Sequence, residues 1–414
     1  MAKIKPFRGL RPKPELAEKV ASPPYDVLNT EEARAMAKDN PYSFLHVNKP
    51  EIDLPEGTNL YDDAVYAKGK ENLDRLIKEG VLIQDDKPCF YVYRQIMGDH
   101  VQIGLVAGAS VEDYEQGIIK KHELTRADKE EDRVKHVNTL NAQTGPVFLT
   151  YRAQKDIDAL INKIVQRKPV YDFTADDGIR HTFWVVDDDN EIKQLQDLFA
   201  RLDYLYVADG HHRSAAATRV KQMRQKQNPN HTGEEEYNYF LTVIFPHNQM
   251  YIMDYNRVVK DLNGYSKEEF LQKVAEKFDV EKIGQTAEKP GQKHEFVMYL
   301  DGEWYKLKAK PGTFDENDPV AQLDVSILMD NLLVPILGIG DPRKDKRIDF
   351  VGGIRGLEEL KRRVDSGEMQ VAFALYPTSI EDLMAIADAG KIMPPKSTWF
   401  EPKLRSGLVI HLLD

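Results

Sequence analysis

The segment YVADGHHRSAAA over residues 206–217 holds the residues of this chain best suited to phosphate chemistry. An apolar run ends at Asp209, Gly210 permits a tight turn, and an alanine-rich stretch that favours helix begins at once. The N–H groups at a helix start lack internal partners, and together with the helix dipole they attract phosphate. Arg213 adds a planar fork of donors for phosphate oxygens. The predicted phosphate-binding residues are Gly210, His211, His212, Arg213 and Ser214.

Asp209 ends the apolar run and is predicted to hold Mg²⁺ or to orient an acceptor hydroxyl, because carboxylate oxygens suit a hard cation. The alternative is a plain helix start capped by Asp209, with two surface histidines and a solvated arginine. A zinc ion shared by His211 and His212 is disfavoured. Adjacent helix positions diverge by about 100°, so two neighbouring side chains rarely reach one ion.

A second group of candidates lies in KKHELTRADKEEDR, residues 120–133. Lys121 and Arg126 are predicted to bind phosphate. Phosphoryl transfer to a hydroxyl needs a base near the attacking oxygen, and His122 or Glu123 is the predicted base. The alternative is a charged helix face stabilised by pairs of residues four positions apart.

A third group lies in PPKSTWFEPKLRSG, residues 394–407. This loop is predicted to close over an anionic ligand. Its phosphate-binding candidates are Lys396, Thr398, Lys403 and Arg405. The alternative is a proline-stiffened loop with Trp399 and Phe400 packed in the core. In SPPYDV, residues 22–27, Asp26 is a metal-ligand candidate, and a rigid turn is the favoured alternative.

The elements that must position these residues suggest a mixed α/β fold. Strands are predicted at 89–94 and 101–108, joined by a turn at Gly98-Asp99. A second hairpin is predicted from strands at 239–245 and 250–254. Most of residues 118–145 is predicted to be helical. The predicted organisation is an N-terminal extension (1–60), a nucleotide-binding α/β domain (61–260) and a C-terminal α/β domain (261–414).

The overall composition narrows the possible classes of function. The chain has 57 basic and 68 acidic residues and a net charge of −11, which argues against a nucleic-acid partner. A single cysteine, Cys89, excludes an internal disulfide and a multi-cysteine metal site. No stretch approaches the ~18 apolar residues that a membrane span needs, and no signal peptide is visible, so we expect a cytoplasmic protein. The sequence gives no indication of the oligomeric state.

Two resemblances follow from these motifs. The spacing of Gly210, Arg213 and Ala216 after an apolar strand resembles the phosphate-binding motif of the ParB/sulfiredoxin superfamily, whose members bind ATP or CTP and include free-serine kinases. SPPYDV, KKHELTRADKEEDR, DGHHR and PPKSTWFEPKL resemble segments of the family known as domain of unknown function 1015. This second resemblance extends over nearly the whole chain.

The residues and resemblances together lead to an expected function. The chain is expected to be a kinase that uses Mg²⁺ and ATP or ADP to phosphorylate a hydroxyl of a small polar metabolite. Free serine as the acceptor is implied by the resemblance. The alternatives are a nucleotide-binding regulatory protein of ParB-like type without metabolite kinase activity, and a scaffold protein in which DGHHR is only a helix cap.

Overall fold

The computed structural model describes residues 1–414 and shows a mixed α/β protein whose packing divides into two units. The first unit comprises Met1–Met250 and Pro402–Asp414, and the second comprises Tyr251–Glu401. The first unit is therefore discontinuous in sequence. The three-part organisation suggested by the sequence stays a prediction.

The first unit holds most of the strands. They are β1 (Ile4–Lys5), β2 (Leu10–Pro12), β3 (Leu82–Gln84), β4 (Phe90–Met97), β5 (His100–Ser110), β6 (Ile119–Lys120), β7 (Ala142–Gln143), β8 (Val147–Tyr151), β9 (Tyr171–Thr174), β10 (Arg180–Val186), β11 (Leu205–Asp209) and β12 (Tyr239–Pro246). Its helices are α1 (Ala17–Val20), α2 (Thr30–Ala37), α3 (Leu45–Asn48), α4 (Asp63–Lys78), α5 (Val111–Glu115), α6 (Ala127–Leu140), α7 (Lys155–Ile164), α8 (Asp189–Phe199) and α9 (His211–Gln227).

A nine-stranded mixed sheet organises the first unit, in the order β6-β11-β8-β12-β5-β4-β10-β9, with β1 paired to β5. The apolar runs of β8 and β12 are buried along their whole length, as expected for central strands covered on both faces. Most pairs are antiparallel, but β11 runs parallel to β6 and β12 runs parallel to β8. The carboxyl ends of β6 and β11 therefore meet at the same edge of the sheet.

The second unit is built on an antiparallel sheet of six strands, in the order β15-β17-β16-β19-β14-β18, beside the two-stranded pair of β13 and β20. Its strands are β13 (Tyr251–Met253), β14 (Tyr255–Val259), β15 (Phe278–Gly284), β16 (Glu295–Leu300), β17 (Glu303–Ala309), β18 (Ile348–Gly352), β19 (Val371–Leu375) and β20 (Trp399–Glu401). Its helices are α10 (Lys267–Lys277), α11 (Asp324–Leu328), α12 (Gly356–Asp365) and α13 (Ile380–Asp388). The chain then returns to the first unit, where β21 (His411–Leu412) pairs with β7.

Two predicted elements are wrong. The strands flanking residues 247–249 do not form a hairpin, because β12 stays in the large sheet while β13 pairs with β20. Residues 118–126 are not helical either, since β6 and a loop precede α6. The alternating apolar pattern that identifies a strand does not identify its pairing partner. The hairpin of β4 and β5 across Gly98-Asp99 is confirmed. None of the helices combines the length and apolarity required to cross a membrane.

Candidate functional site

The strand–turn–helix junction predicted from DGHHR lies between β11 and α9. Four apolar residues of β11 are buried, and the strand ends at Asp209. Gly210 adopts φ 99°, in the left-handed region that favours glycine, and α9 begins at His211. No side chain caps the helix, and its first turn contains no acidic residue. The junction therefore leaves the amino end of α9 without the usual local partner for its N–H groups.

Asp209 lies between two cations. The Lys403 ammonium donates a hydrogen bond to Asp209 Oδ2 at 3.3 Å, and the Arg213 guanidinium is 4.0 Å from Oδ1. Burial alone raises the pKa of the Asp209 carboxyl, but Lys403 and Arg213 outweigh it and hold this pKa well below its ordinary value. Asp209 is therefore an anionic carboxylate at neutral pH, and its side chain is 35% exposed.

Arg213 is the most enclosed of these charges, with only 12% of its side chain exposed. Its guanidinium lies 3.8 Å from the Asp26 carboxylate and donates a hydrogen bond to the Pro146 carbonyl. Burial lowers the pKa of Arg213, but Asp26 and Asp209 raise it above its ordinary value. Asp26, from the SPPYDV segment, thus joins the cluster, although a rigid turn was the favoured reading of that segment.

A further arginine lies beside this cluster. The Arg133 guanidinium lies 3.8 Å from the centre of the Tyr25 ring and 2.7 Å from the Asp132 carboxylate. A cavity of about 30 Å³ lies against Tyr25, Arg133 and Arg213. Its polar lining includes Tyr25, Asn48, Arg133, His136, Thr144 and Arg213. Sequence reasoning missed Asn48, His136 and Thr144, which carry no motif and join the site only through packing.

The parallel pairing of β6 and β11 brings His122 and Glu123 to the start of α9. The rings of His122 and His211 pack edge to face, with centres 4.4 Å apart. Both histidines are buried and Glu123 is partly buried. Burial lowers the pKa of His122 to about 4, although a hydrogen bond to the Val207 carbonyl opposes the shift. Burial, with help from His122, also lowers the pKa of His211 well below its ordinary value. Both rings are therefore neutral at pH 7.

The remaining predicted residues of the second motif lie around this edge. His212 Nε2 accepts a hydrogen bond from the Arg126 backbone N–H at 3.1 Å, which ties the second motif to the first. The Arg126 guanidinium itself pairs with Asp128 at 2.8 Å. Lys121 is exposed, and its ammonium lies 5.7 Å from the centre of the Tyr114 ring.

Three other predicted phosphate-binding residues are Ser214 in the first unit and Lys396 and Thr398 in the second. Ser214 is fully buried and donates its hydroxyl to the Gly210 carbonyl at 3.1 Å. Lys396 and Thr398 belong to the second unit, and their share in the site stays a prediction. The Lys396 ammonium lies 5.8 Å from the centre of the Tyr255 ring.

Arg405 has partners other than the DGHHR residues. Its backbone N–H donates to the Tyr93 hydroxyl at 3.3 Å. Its guanidinium pairs with Asp177 and donates to His181 Nε2 at 3.4 Å. Arg405 therefore contacts Tyr93, Asp177 and His181, whereas Lys403, two residues earlier, contacts Asp209. The structure brings together Asp209, Gly210, His211, His212 and Arg213 with His122, Glu123, Arg126 and Lys403.

Comparison with known proteins gives a family and several solved structures of low similarity. The family model described as "Protein of unknown function (DUF1015)" matches residues 4–326. A free serine kinase in complex with AMP is 13% identical, with a TM-score of 0.35, over 72% of this chain and 86% of that chain. A conserved hypothetical protein from Pyrococcus furiosus is 14% identical, with a TM-score of 0.34, over 72% and 90%. SbnI from Staphylococcus aureus, with a C-terminal truncation, is 11% identical, with a TM-score of 0.37, over 74% and 87%. No protein of curated function matches the sequence.

Proposed function

This chain belongs to the DUF1015 family, and we propose that it is a nucleotide-dependent kinase that phosphorylates a hydroxyl of a small polar metabolite. The observation that carries the proposal is Asp209, held as an anion between Lys403 and Arg213 at an uncapped helix start. A carboxylate, two cations and bare N–H groups in one place are the parts that phosphoryl transfer requires. The phosphate-binding element is proposed to be of the ParB/sulfiredoxin type.

The charge balance of the site supports a role for Mg²⁺. Arg213 and Lys403 provide two positive charges, and Asp209 and Asp26 provide two negative ones. A nucleotide phosphate entering this balanced cluster would be repelled by both carboxylates unless a divalent cation lay between them. Both carboxylates are accessible, with 35% and 42% of their side chains exposed. We therefore assign Asp209, assisted by Asp26, to Mg²⁺ binding.

The proposed roles of the other residues follow from their positions. The N–H groups at the start of α9, with Gly210 and His212 beside them, bind phosphate oxygens, and Arg213 and Lys403 stabilise the charge on the transferred group. Glu123, partly buried at the same sheet edge, is the proposed base. It takes the proton of the acceptor hydroxyl while the new O–P bond forms and the bond from phosphorus to the nucleotide's leaving oxygen breaks. The donor is ATP or ADP, and free serine is the first acceptor to examine.

Two measurements test the proposal in sequence. Calorimetric titration with ATP, ADP and CTP in the presence of Mg²⁺ measures binding. Incubation with the bound nucleotide and a panel of hydroxyl metabolites, beginning with serine, measures transfer by mass spectrometry. Wild type is expected to bind a nucleotide and phosphorylate one acceptor. Binding without any transfer would favour the regulatory alternative, and absence of binding would remove the phosphate-site assignment.

Asp209→Asn is the decisive variant because it keeps the shape of the side chain and removes its charge. We expect transfer to fall by at least ~100-fold, the size of effect seen when a group that acts in the transition state is lost. Asp188→Asn, at the helix start that follows β10, is the matched control. Asparagine also caps helices, so this control should keep wild-type transfer. Equal losses in both variants would contradict the assigned role of Asp209.

A further inference from the structure

We propose that His122, Glu123 and His211 form a binding site for one divalent transition-metal ion, with Zn²⁺ as the reference ion. Each side chain offers one potential ligand atom, and these atoms all lie within 4.8 Å of one another. Two atoms bonded to one ion at about 2.0–2.2 Å lie at most about 4.4 Å apart, so a small side-chain adjustment would let the three donors converge on a single ion. The site goes beyond the proposed function, since it requires no nucleotide.

Two unpaired nitrogens point to a ligand at this position. His122 Nδ1 and His211 Nε2 are buried and have no hydrogen-bond partner. The two residues are only 2% and 5% exposed, so water does not reach the rings freely. Leaving a buried polar atom unpaired destabilises the fold, and two such atoms beside each other are unusual in a folded protein. One metal ion would satisfy both nitrogens at once.

The structure also fixes which nitrogen of His122 is available. Its other ring nitrogen donates to the Val207 carbonyl, so the lone pair of the neutral ring lies on Nδ1. A carbonyl that accepts from the far side of a ligating imidazole is the usual device that orients a metal-binding histidine. The Asp209 carboxylate also favours positive charge near both rings, which opposes the unfavourable field at the start of α9.

The ligand set selects the type of ion. Two imidazoles and one carboxylate suit Zn²⁺ and its late first-row neighbours, whereas Mg²⁺ prefers oxygen ligands only. This ion would therefore be distinct from the Mg²⁺ assigned to Asp209. Three protein ligands leave a coordination position for an outside oxygen, as in catalytic zinc sites. With the ion bound, Glu123 would be a ligand rather than the base proposed above, and the metal would instead lower the pKa of an acceptor hydroxyl at the open position.

The test measures metal binding on the full chain, free of any affinity tag and stripped with a chelator. Zn²⁺ is added, excess is dialysed away, and the metal-to-protein ratio is measured by mass spectrometry. Co²⁺ is titrated separately, because its visible absorption reports the coordination geometry. We expect one ion per chain and a Co²⁺ spectrum typical of four or five ligands. A ratio near zero, or a six-coordinate Co²⁺ spectrum like that of the aqueous ion, would overturn the proposal.

Variants assign the ligands. His211→Ala and Glu123→Gln are expected to weaken Zn²⁺ binding by at least ~100-fold and ~10-fold, since each removes one of three ligands. His212→Ala is the matched control, because this neighbouring histidine lies outside the trio. It should bind Zn²⁺ as wild type does. Should His211→Ala fail to fold, the isosteric Glu123→Gln decides alone. Unchanged affinity in the ligand variants, or an equal loss in His212→Ala, would overturn the site. No nucleotide is present, so failure here is separate from failure of the kinase proposal.

Discussion

Two strand-to-helix junctions in the first unit differ in how the first N–H groups of the helix are bonded. After β10, Asp188 caps α8 by accepting the Glu191 N–H at 3.0 Å, and acidic residues occupy the first turn. After β11, Gly210 stands at the cap position of α9 with no capping bond and no acid in the first turn. Glycine in place of a capping side chain costs roughly a few tenths of a kcal/mol, so α9 forgoes a small stabilisation that α8 uses. Under the proposed function, these uncapped N–H groups of α9 are the ones that bind phosphate.

The two junctions also differ in how exposed their charged side chains are. The α8 junction carries exposed acids, such as Asp189, which is 89% exposed in its side chain. The α9 junction is enclosed by Asp209, Arg213 and Lys403, whose charges are partly or largely buried. Exposed charges are screened by water, whereas enclosed ones interact strongly and perturb each other's pKa. Substitutions should therefore have larger effects at the α9 junction, and the following predictions test this contrast.

The largest effect is expected from Arg213→Ala. Removing this nearly buried guanidinium leaves Asp209 and Asp26 without their shared partner and the Pro146 carbonyl without its charged donor, and losing a hydrogen bond to a charged group costs about 1.5–3 kcal/mol. Urea unfolding measures the loss of stability. Arg180→Ala on β10 is the control, because its pair with Asp172 is half exposed and worth at most about 1 kcal/mol. Equal losses in the two variants would refute the contrast.

Gly210→Ala is expected to lower the free energy of unfolding by about 2 kcal/mol. An alanine at φ 99° is strained by about 1–2 kcal/mol, and its Cβ would lie 3.2 Å from Arg213 Nε. The matched control is Gly178→Ala before β10, where φ is 82° and a Cβ meets nothing within 4 Å. The control should lose only the free energy of unfolding that corresponds to the backbone strain. A Gly178→Ala loss as large as that of Gly210→Ala would mean that the Arg213 contact contributes nothing.

A pH effect of about 1.5 kcal/mol is expected from His136, which lines the cavity beside Arg213 on α6. Burial, with help from Arg133, lowers the pKa of His136 to about 4. The unfolded state, with a pKa near 6.5, binds the proton more readily, so stability is full above about pH 6.5 and falls as the pH drops towards 4. Chemical unfolding at pH 7.5 and 5.5 measures the change.

Two substitutions separate His136 from the other histidines. His136→Gln should remove about 1.5 kcal/mol of the acid-induced loss. His46→Gln should do the opposite, because a hydrogen bond to Asp53 raises the pKa of His46. That group stabilises the fold at low pH, and its removal should steepen the acid-induced loss. Identical pH profiles for wild type and His136→Gln would show that His136 is not buried as a neutral ring.

The smallest effect on the free energy of unfolding is expected at the start of α8, which Asp188 caps. Asp188→Ala should cost about 1 kcal/mol, because the Glu191 N–H loses its acceptor. Nucleotide binding should not change, whereas Arg213→Ala should weaken it. Asp188→Ser, which restores a capping oxygen, should recover most of the stability in a thermal melt. Loss of nucleotide binding in Asp188→Ala would show that the two junctions are not functionally distinct.

The local parts of the fold could be predicted from sequence, because they depend on neighbouring residues. The apolar run before Asp209 and the glycine after it indicated the β11–α9 junction, and Gly98 marked the turn of a real hairpin. Strand pairing depends on residues far apart in the chain, and no local pattern encodes it. The false hairpin after β12 arose because two apolar strands were adjacent in sequence and were assumed to pair.

The candidate site likewise combines local motifs, which the sequence shows, with contacts between distant residues, which it does not. The motifs containing His122, His211 and Lys403 were identified by their residue types. Sequence spacing disfavoured a metal pair of His211 and His212 but gave no other partner for either ring, whereas the structure packs His211 against His122. That contact exists only because β6 and β11 run in parallel, which the sequence does not reveal. Likewise, nothing in the sequence linked Asp26 to Arg213 or distinguished Lys403 from Arg405.

The discontinuity of the first unit has a consequence for biosynthesis. Lys403, the partner of Asp209, leaves the ribosome about 150 residues after Met250, because the whole second unit is translated in between. At 5–20 residues per second this delay is roughly 8–30 s. During that time the large sheet can form, but Asp209 has no Lys403 and β7 has no β21. A nascent chain would therefore hold an incomplete candidate site until translation passes the second unit.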